Sequence, residues 1–329
     1  MIIVTGGTGF IGSNLVAGLQ DKGRSDIVVC DWLGSDDKWK NVAKRELRDI
    51  IFPEKLFEYL ERHADQIEAV FHIGAISSTT ETDVDLIIKT NFYLSRELWK
   101  WCAERGVRFI YASSAATYGD GAQGFRDFET PEELARLRPL NPYGFSKHVF
   151  DRSISRVIHD RSEKVPPQWA GLKFFNVYGP NEYHKGGQMS VACKLYPQVV
   201  AGAAAKLFRS YHPDYGDGGQ LRDFVYVGDC VSVMLWLYDN PEVSGLFNVG
   251  TGKARSFKDL AEAVFKAANL KPKINYIDMP DELRGKYQYF TQADMSKLHG
   301  AGYDRPFTGL EDGVRLYVQE FMACEDRYR

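Results

Sequence analysis

Met1-Ile2-Ile3-Val4-Thr5-Gly6-Gly7-Thr8-Gly9-Phe10-Ile11-Gly12 is the stretch whose reading decides the fold. The first five residues form an apolar, β-branched run that reads as a strand, and residues 11–22 carry the period of a helix, so the glycines sit in a strand-to-helix turn. Gly6, Gly9 and Gly12 fall at three-residue spacing. One permits the tight turn, one lets the backbone approach a pyrophosphate, and one lets helix and strand pack closely, while the helix N-terminus offers unpaired N–H donors. Asp31 ends a second apolar run, where a carboxylate accepts from adenosine ribose hydroxyls. Strand, turn, helix and acid together make a dinucleotide fingerprint. Asp31 argues for a free ribose and so for NAD, whereas Lys38, among the cations that follow, is placed to neutralise the 2′-phosphate of NADP, and the choice between the two stays open here; Lys40, Lys44 and Arg45 read as solvated surface charge.

Outward from this turn, strand-like runs at 27–31, 69–72, 108–112 and 171–175 alternate with helical patterns at 52–63, 86–105 and 143–160. That alternation predicts an α/β fold built on a doubly wound parallel Rossmann sheet, helices on both faces, with ligands beyond the carboxyl ends of its strands. The pattern loosens after residue 175, where turn formers crowd 160–168 and 209–220, and resumes over 222–238 and 246–252. The expected organisation is a dinucleotide-binding domain over 1–175, to which the chain returns near 222–252, and a smaller C-terminal α/β substrate-binding domain made mainly of 176–329.

The 41 Lys and Arg nearly balance the 44 Asp and Glu, for a net charge of −3, so neither a nucleic-acid footprint nor binding to an anionic membrane is expected and phosphate recognition must be local. Five cysteines with no Cys-x-x-Cys pair read as reduced thiols, and the seven histidines show no ligand spacing, so no metal is expected. With no basic leader and no apolar run of membrane-spanning length, the cytoplasm is the expected location.

Tyr143-Gly144-Phe145-Ser146-Lys147 places a phenol and an ammonium four residues apart on one face at the start of a helix. A free phenol, with a pKa of ~10, is a poor base at neutral pH; a neighbouring cation stabilises the phenolate and lowers that value. Lys147 is also placed to hydrogen-bond a nicotinamide ribose. Ser113 and Ser114 close the fourth strand-like run, where a substrate hydroxyl can be held.

With these residues in this order, the chain resembles the extended short-chain dehydrogenase/reductases over essentially its whole length. Residues 175–180 (Phe-Asn-Val-Tyr-Gly-Pro), 222–227 (Arg-Asp-Phe-Val-Tyr-Val) and 247–252 (Phe-Asn-Val-Gly-Thr-Gly) are similar to the nucleotide-sugar branch of that family. Residues 72–81 (His-Ile-Gly-Ala-Ile-Ser-Ser-Thr-Thr-Glu), 113–119 (Ser-Ser-Ala-Ala-Thr-Tyr-Gly), 184–186 (His-Lys-Gly) and 287–294 (Tyr-Gln-Tyr-Phe-Thr-Gln-Ala-Asp) resemble, within that branch, epimerases acting at carbon 6 of an ADP-linked heptose on the way to the lipopolysaccharide inner core. The resemblance implies inversion through a transient 6-ketone, with tightly bound NADP, and with Tyr143 and Lys185 as the two proton-transferring groups beside Ser114 and Lys147. It implies cofactor contacts from Gly6, Gly9, Phe10, Ile11, Gly12, Asp31, Trp32, Lys38, Ile73, Gly74, Ala75, Ile76, Ser77, Asn91, Lys147, Val177 and Lys185. Substrate contacts are implied for Ser78, Asn176, Gly187, Lys194, Phe208, Arg209, Ser210, Tyr211, Arg222 and Tyr287, and a homo-oligomer, a homopentamer, for the assembly. Pro53, Gly187 and Lys194 depart from the family pattern. A UDP-hexose 4-epimerase uses the same serine and Tyr-x-x-x-Lys without needing Lys185, and is the competing enzymatic reading; a non-catalytic dinucleotide sensor is the competitor from another class. Ala115 and Ala116 stand where a dehydratase carries its Asp-Glu pair.

Overall fold

The computed structural model describes residues 1–284 and 288–329. Seven strands, β1 (Ile2–Thr5), β2 (Ile27–Cys30), β3 (Asp49–Ile51), β4 (Ala69–His72), β5 (Arg108–Ser114), β6 (Trp169–Phe174) and β7 (Gly245–Val249), form one sheet in the order β7-β6-β5-β4-β1-β2-β3. Every neighbouring pair is parallel. β1, β2 and β4 are buried along their whole length, which is why they read as continuous apolar runs instead of alternating ones: helices cover both faces. The order reverses between β1 and β4. From β1 the chain runs outward through β2 to β3, then crosses back to β4 on the other side, so the connections after β1 and β4 diverge and leave a crevice at their carboxyl ends.

Four helices pack on the sheet, α1 (Phe10–Asp21), α2 (Leu56–Arg62), α3 (Leu94–Arg105) and α4 (Pro142–Asp160), and the first turns of α1 and α4 reach the crevice. Three expectations are corrected. The helix expected over 52–63 begins only at Leu56, because Pro53 opens a 3-10 turn over Pro53–Lys55 that precedes it. Residues 86–105 are not one regular helix; a π-helical turn over Ile88–Tyr93 precedes α3, and within it Asn91 turns inward to bond Ile76 and Ser146. The short edge strand β3, three residues long and two of them exposed, was not foreseen, because so brief a run carries no period.

Beyond β6 the chain builds a second, smaller core between the helices Val191–Val200, Phe257–Ala267 and Leu310–Tyr317, with a parallel pair of strands, Ala205–Phe208 and Ile274–Ile277. Buried Asp223 ties this part to the sheet edge. Its carboxylate accepts from Thr251 N–H and Oγ1 (both 2.7 Å), Gly252 N–H (2.9 Å) and Ala293 N–H (3.0 Å), holding three segments at one point. Burial raises the Asp223 carboxyl and these donors pull it back, the balance expected of a structural anion. Among the described residues, no helix is long and apolar enough to cross a membrane.

Candidate active site

A cavity of about 960 Å³ opens where the sheet order reverses. Of the residues singled out in the sequence, it is walled by Gly6, Gly9, Phe10, Ile11, Gly12, Asp31 and Lys38 on the β1 and β2 side, by Ile73, Gly74, Ala75, Ser77 and Ser78 after β4, and by Ser113, Ser114, Tyr143, Lys147, Val177, Lys185 and Gly187 on the other. The glycines are required by space. A Cβ on Gly12 would stand 2.1 Å from the Gly6 carbonyl oxygen; Gly6, at φ +66°, would put one 2.5 Å from Gly74 Cα. The turn therefore lies flush against the strand end beside it, and α1 begins at Gly9 with no side-chain cap and no acid in its first turn. Uncapped N–H donors on a glycine-lined helix start suit a pyrophosphate, so the residues present fit a dinucleotide.

Asp31 lines the cavity just after β2. Its carboxylate accepts from Thr8 Oγ1 (2.6 Å), Thr8 N–H (3.1 Å), Trp32 N–H (2.8 Å) and Lys38 Nζ (2.8 Å), and Lys38 also donates to the Trp32 carbonyl (2.7 Å). Thr8 was missed in the sequence, although a hydroxyl inside the glycine turn opposite an acid is a readable signal. Trp32 is half-exposed, its indole N–H on Glu54 (3.0 Å). Lys40 pairs with Asp37 and Lys44 with Asp326 on the surface, the role expected of them. Asn91 stands behind the wall: its amide carbonyl accepts from Ile76 N–H (2.8 Å), and its NH₂ donates to Ile76 O (2.9 Å) and Ser146 Oγ (3.0 Å), pinning the loop after β4 to α4.

Asn141 caps α4, accepting from Gly144 N–H (2.8 Å), and Pro142 fills its first turn, so Tyr143 and Lys147 begin a rigid helix. Ser114, the last residue of β5, lines the cavity beside Tyr143, and its Oγ accepts from Ala116 N–H (3.1 Å). The expectation that Lys147 brings the phenol down is corrected. Burial raises Tyr143, and the neighbouring Ser114 hydroxyl works against that; burial likewise pushes the Lys147 ammonium down to about 8, with Asp151 opposing. Dehydration is the largest influence on both groups.

Across the cavity, Lys185 rides on a 3-10 segment (Tyr183–Gln188), its Nζ 5.1 Å from the centre of the Phe10 ring. Burial lowers its ammonium, Glu182 opposes and Lys194 adds to the fall. His184, also on the wall, is held neutral by burial and contacts Asn41 Nδ2 (3.2 Å).

The other expected substrate contacts lie off this wall. Lys194 bonds the Gly187 carbonyl. Asn176 is exposed on a short strand beside Phe224, and Arg222 is buried over the Phe257 ring, donating to Leu221 O (2.8 Å). Phe208, Arg209, Ser210 and Tyr211 lead into the 209–220 loop, where Arg209 (3.2 Å) and Tyr211 (2.9 Å) both reach Asp278. Tyr287 lies outside the described residues. Among the described residues no cluster of metal-ligating side chains occurs.

The glycine turn opens this cavity at the switch point of a parallel sheet, with Ser114, Tyr143 and Lys147 on its wall, and the sequence matches the NAD dependent epimerase/dehydratase family over residues 2–250. The chain belongs to that family. It is 53% identical to an ADP-L-glycero-D-manno-heptose-6-epimerase of Nitratidesulfovibrio vulgaris, over 99% of both chains, and 48% identical to one of Fusobacterium nucleatum over the full length of both. Among solved structures it is similar to the ADP-L-glycero-D-manno-heptose-6-epimerase of Helicobacter pylori (TM-score 0.78, 28% identity, 98% of this chain and 96% of that one). It is similar too to a Thermus thermophilus UDP-glucose 4-epimerase complexed with NAD (TM-score 0.75, 28% identity, 96% and 97%).

Proposed function

We propose that this chain is an isomerase that converts ADP-D-glycero-D-manno-heptose to ADP-L-glycero-D-manno-heptose at carbon 6, in the synthesis of the lipopolysaccharide inner core. The observation that carries the reading is that Tyr143 and Lys185 line one cavity with the glycine turn, which supports giving each a proton-transferring role; the heptose epimerases to which the chain is about half identical support the choice of sugar. Carbon 6 is a secondary alcohol with no adjacent carbonyl, so no side chain can deprotonate it directly. The dinucleotide supplies a two-electron acceptor returned unchanged at the end of each cycle. Tyr143 Oη takes the hydroxyl proton in one orientation of the sugar and Lys185 Nζ serves the opposite face after the planar 6-keto group has turned. Ser114 Oγ orients the oxygen, and Lys147 Nζ holds the nicotinamide ribose. Residues 1–175 with 222–252 carry the cofactor, and the remainder mainly the sugar.

NADP is the proposed cofactor, because Lys38 stands at the ribose end beside Asp31. Lys38→Ala is expected to weaken NADP binding roughly tenfold to a hundredfold, the worth of a charge-assisted hydrogen bond, and to leave NAD binding nearly unchanged; calorimetry with each dinucleotide checks this. Equal losses for both would mean that Lys38 only positions Asp31. The same resemblance supports a cytoplasmic homopentamer, for which sedimentation should give the mass of five chains. The function itself is tested by following carbon 6 of the ADP-heptose by NMR: inversion without net consumption of dinucleotide is expected. An inert ADP-heptose together with interconversion of UDP-glucose and UDP-galactose would overturn the reading in favour of a 4-epimerase.

A further inference from the structure

Beneath the strand ends lies a charged group that the chemistry above leaves unused. Asp151 is fully buried one helical turn after Lys147 on α4. Its carboxylate accepts from Ser113 Oγ (2.7 Å) and Tyr111 Oη (2.9 Å) of β5 and pairs with Lys173 Nζ of β6 (2.6 Å), itself wholly buried and also donating to Thr117 Oγ1 (2.9 Å). A buried ion pair is a poor source of stability, since both charges are dehydrated, so its presence under a cavity that Ser113 also lines points to another use.

We propose that Asp151 is a positioning residue for the redox centre: it fixes the Ser113 hydroxyl at the strand end and supplies the fixed negative charge against which Lys147 keeps its proton. The proposal rests on the reading of Tyr143 and Lys147 given above. The groups around the pair agree with it. Lys147 faces Asp151 and Tyr143 of its own helix and His72 of β4, and His72 is neutral, buried between Thr5 Oγ1 (2.7 Å) and Ser95 Oγ (2.8 Å) and pushed down to about 3. Asp151 faces Tyr111, Lys173, Tyr118 and, on its own helix, His148, which burial pushes down to about 4. Burial raises both tyrosines further, so they too are neutral. Glu129 and His159 line a small cavity with Asp151, and Glu129 is paired with Lys297; of these two carboxylates Asp151 is the one on the helix of Lys147, and Lys173 balances it.

Lysine labelled with ¹³C at Cε reports the ammonium directly, and the Lys147 signal is assigned by its loss in Lys147→Arg. In Asp151→Asn the Lys147 midpoint is expected to fall by about one pH unit or more, and the alkaline limb of kcat to move the same way with KM nearly unchanged. Asp151→Glu keeps the charge and should hold the midpoint near that of the parent protein, although it fits the space less well than Asn. A role in packing alone predicts the reverse order of damage and an unmoved midpoint, and that result overturns the proposal. Should Asp151→Asn not fold, Asp151→Asn with Lys173→Met removes both buried charges and is read in the same way. A midpoint that moves in a protein that epimerises no ADP-heptose would sink the proposed function and leave the role of Asp151 standing.

Discussion

Tyr143→Phe is expected to cut epimerisation by about 10²- to 10⁴-fold, the range that a positioned proton-transferring group contributes, with KM changed little. The ring stays where it is, half-buried at the first turn of α4, and only the hydroxyl leaves. The loss in stability should stay within the ~1 kcal/mol of a single polar contact, so a thermal melt close to that of the parent protein separates lost chemistry from lost fold. The pH profile adds a sign. Lys147, pushed down to about 8, loses its charge as the pH rises through that value, well below an ordinary lysine. Turnover that depends on its charged form therefore declines on the alkaline side near pH 8. The Tyr143 phenol, raised by burial, keeps its proton throughout that range until substrate takes part. A Tyr143→Phe protein within a few-fold of the parent would remove the phenol from the mechanism.

Why some of this was legible in the sequence and some was not follows from the range over which each residue acts. The glycine turn, Asp31 and the Tyr143/Lys147 spacing are local: each needs only a strand end or one helical turn, and the structure places all of them on one cavity. The full burial of β1, β2 and β4 wrote itself into the sequence as unbroken apolar runs. β3 left no such trace, since an edge strand of three residues buries one side chain. The same limit hid the Asp151–Lys173 pair. Asp151 at four residues from Lys147 is readable as one face of a helix, yet its partner comes from a strand 22 residues on, and only the sheet register brings them together. The state of Tyr143 was misjudged for a related reason: the spacing shows that a cation is near, and it does not show how dry the pair is. Residues 208–211 match a family segment, yet Arg209 and Tyr211 reach Asp278, Ser210 Oγ donates to the His212 carbonyl, and none of the four lines the main cavity.

Lys185→Met separates this mechanism from that of an epimerase with a single proton-transferring residue. Methionine keeps the length and apolar stem that lie against Phe10 and removes only the ammonium, so binding and fold should survive. A roughly 10²-fold or greater fall in inversion is expected, again with KM nearly unchanged. The two variants should also be complementary. With Tyr143 intact, Lys185→Met can still take the hydroxyl proton from one epimer of the sugar, so rapid mixing with that epimer should give a change in the nicotinamide absorbance band that the other epimer does not give. Tyr143→Phe should respond to the opposite epimer. Burial lowers the Lys185 ammonium, with Glu182 opposing, so the neutral form that accepts a proton gains population at a pH below that of an exposed lysine. The direction that relies on Lys185 should accelerate as the pH rises, until the discharge of Lys147 intervenes. If Lys185→Met inverts the sugar at the parent rate, or if both variants lose the same epimer, Tyr143 alone handles the proton on both faces, and the sugar turns without help from the far wall.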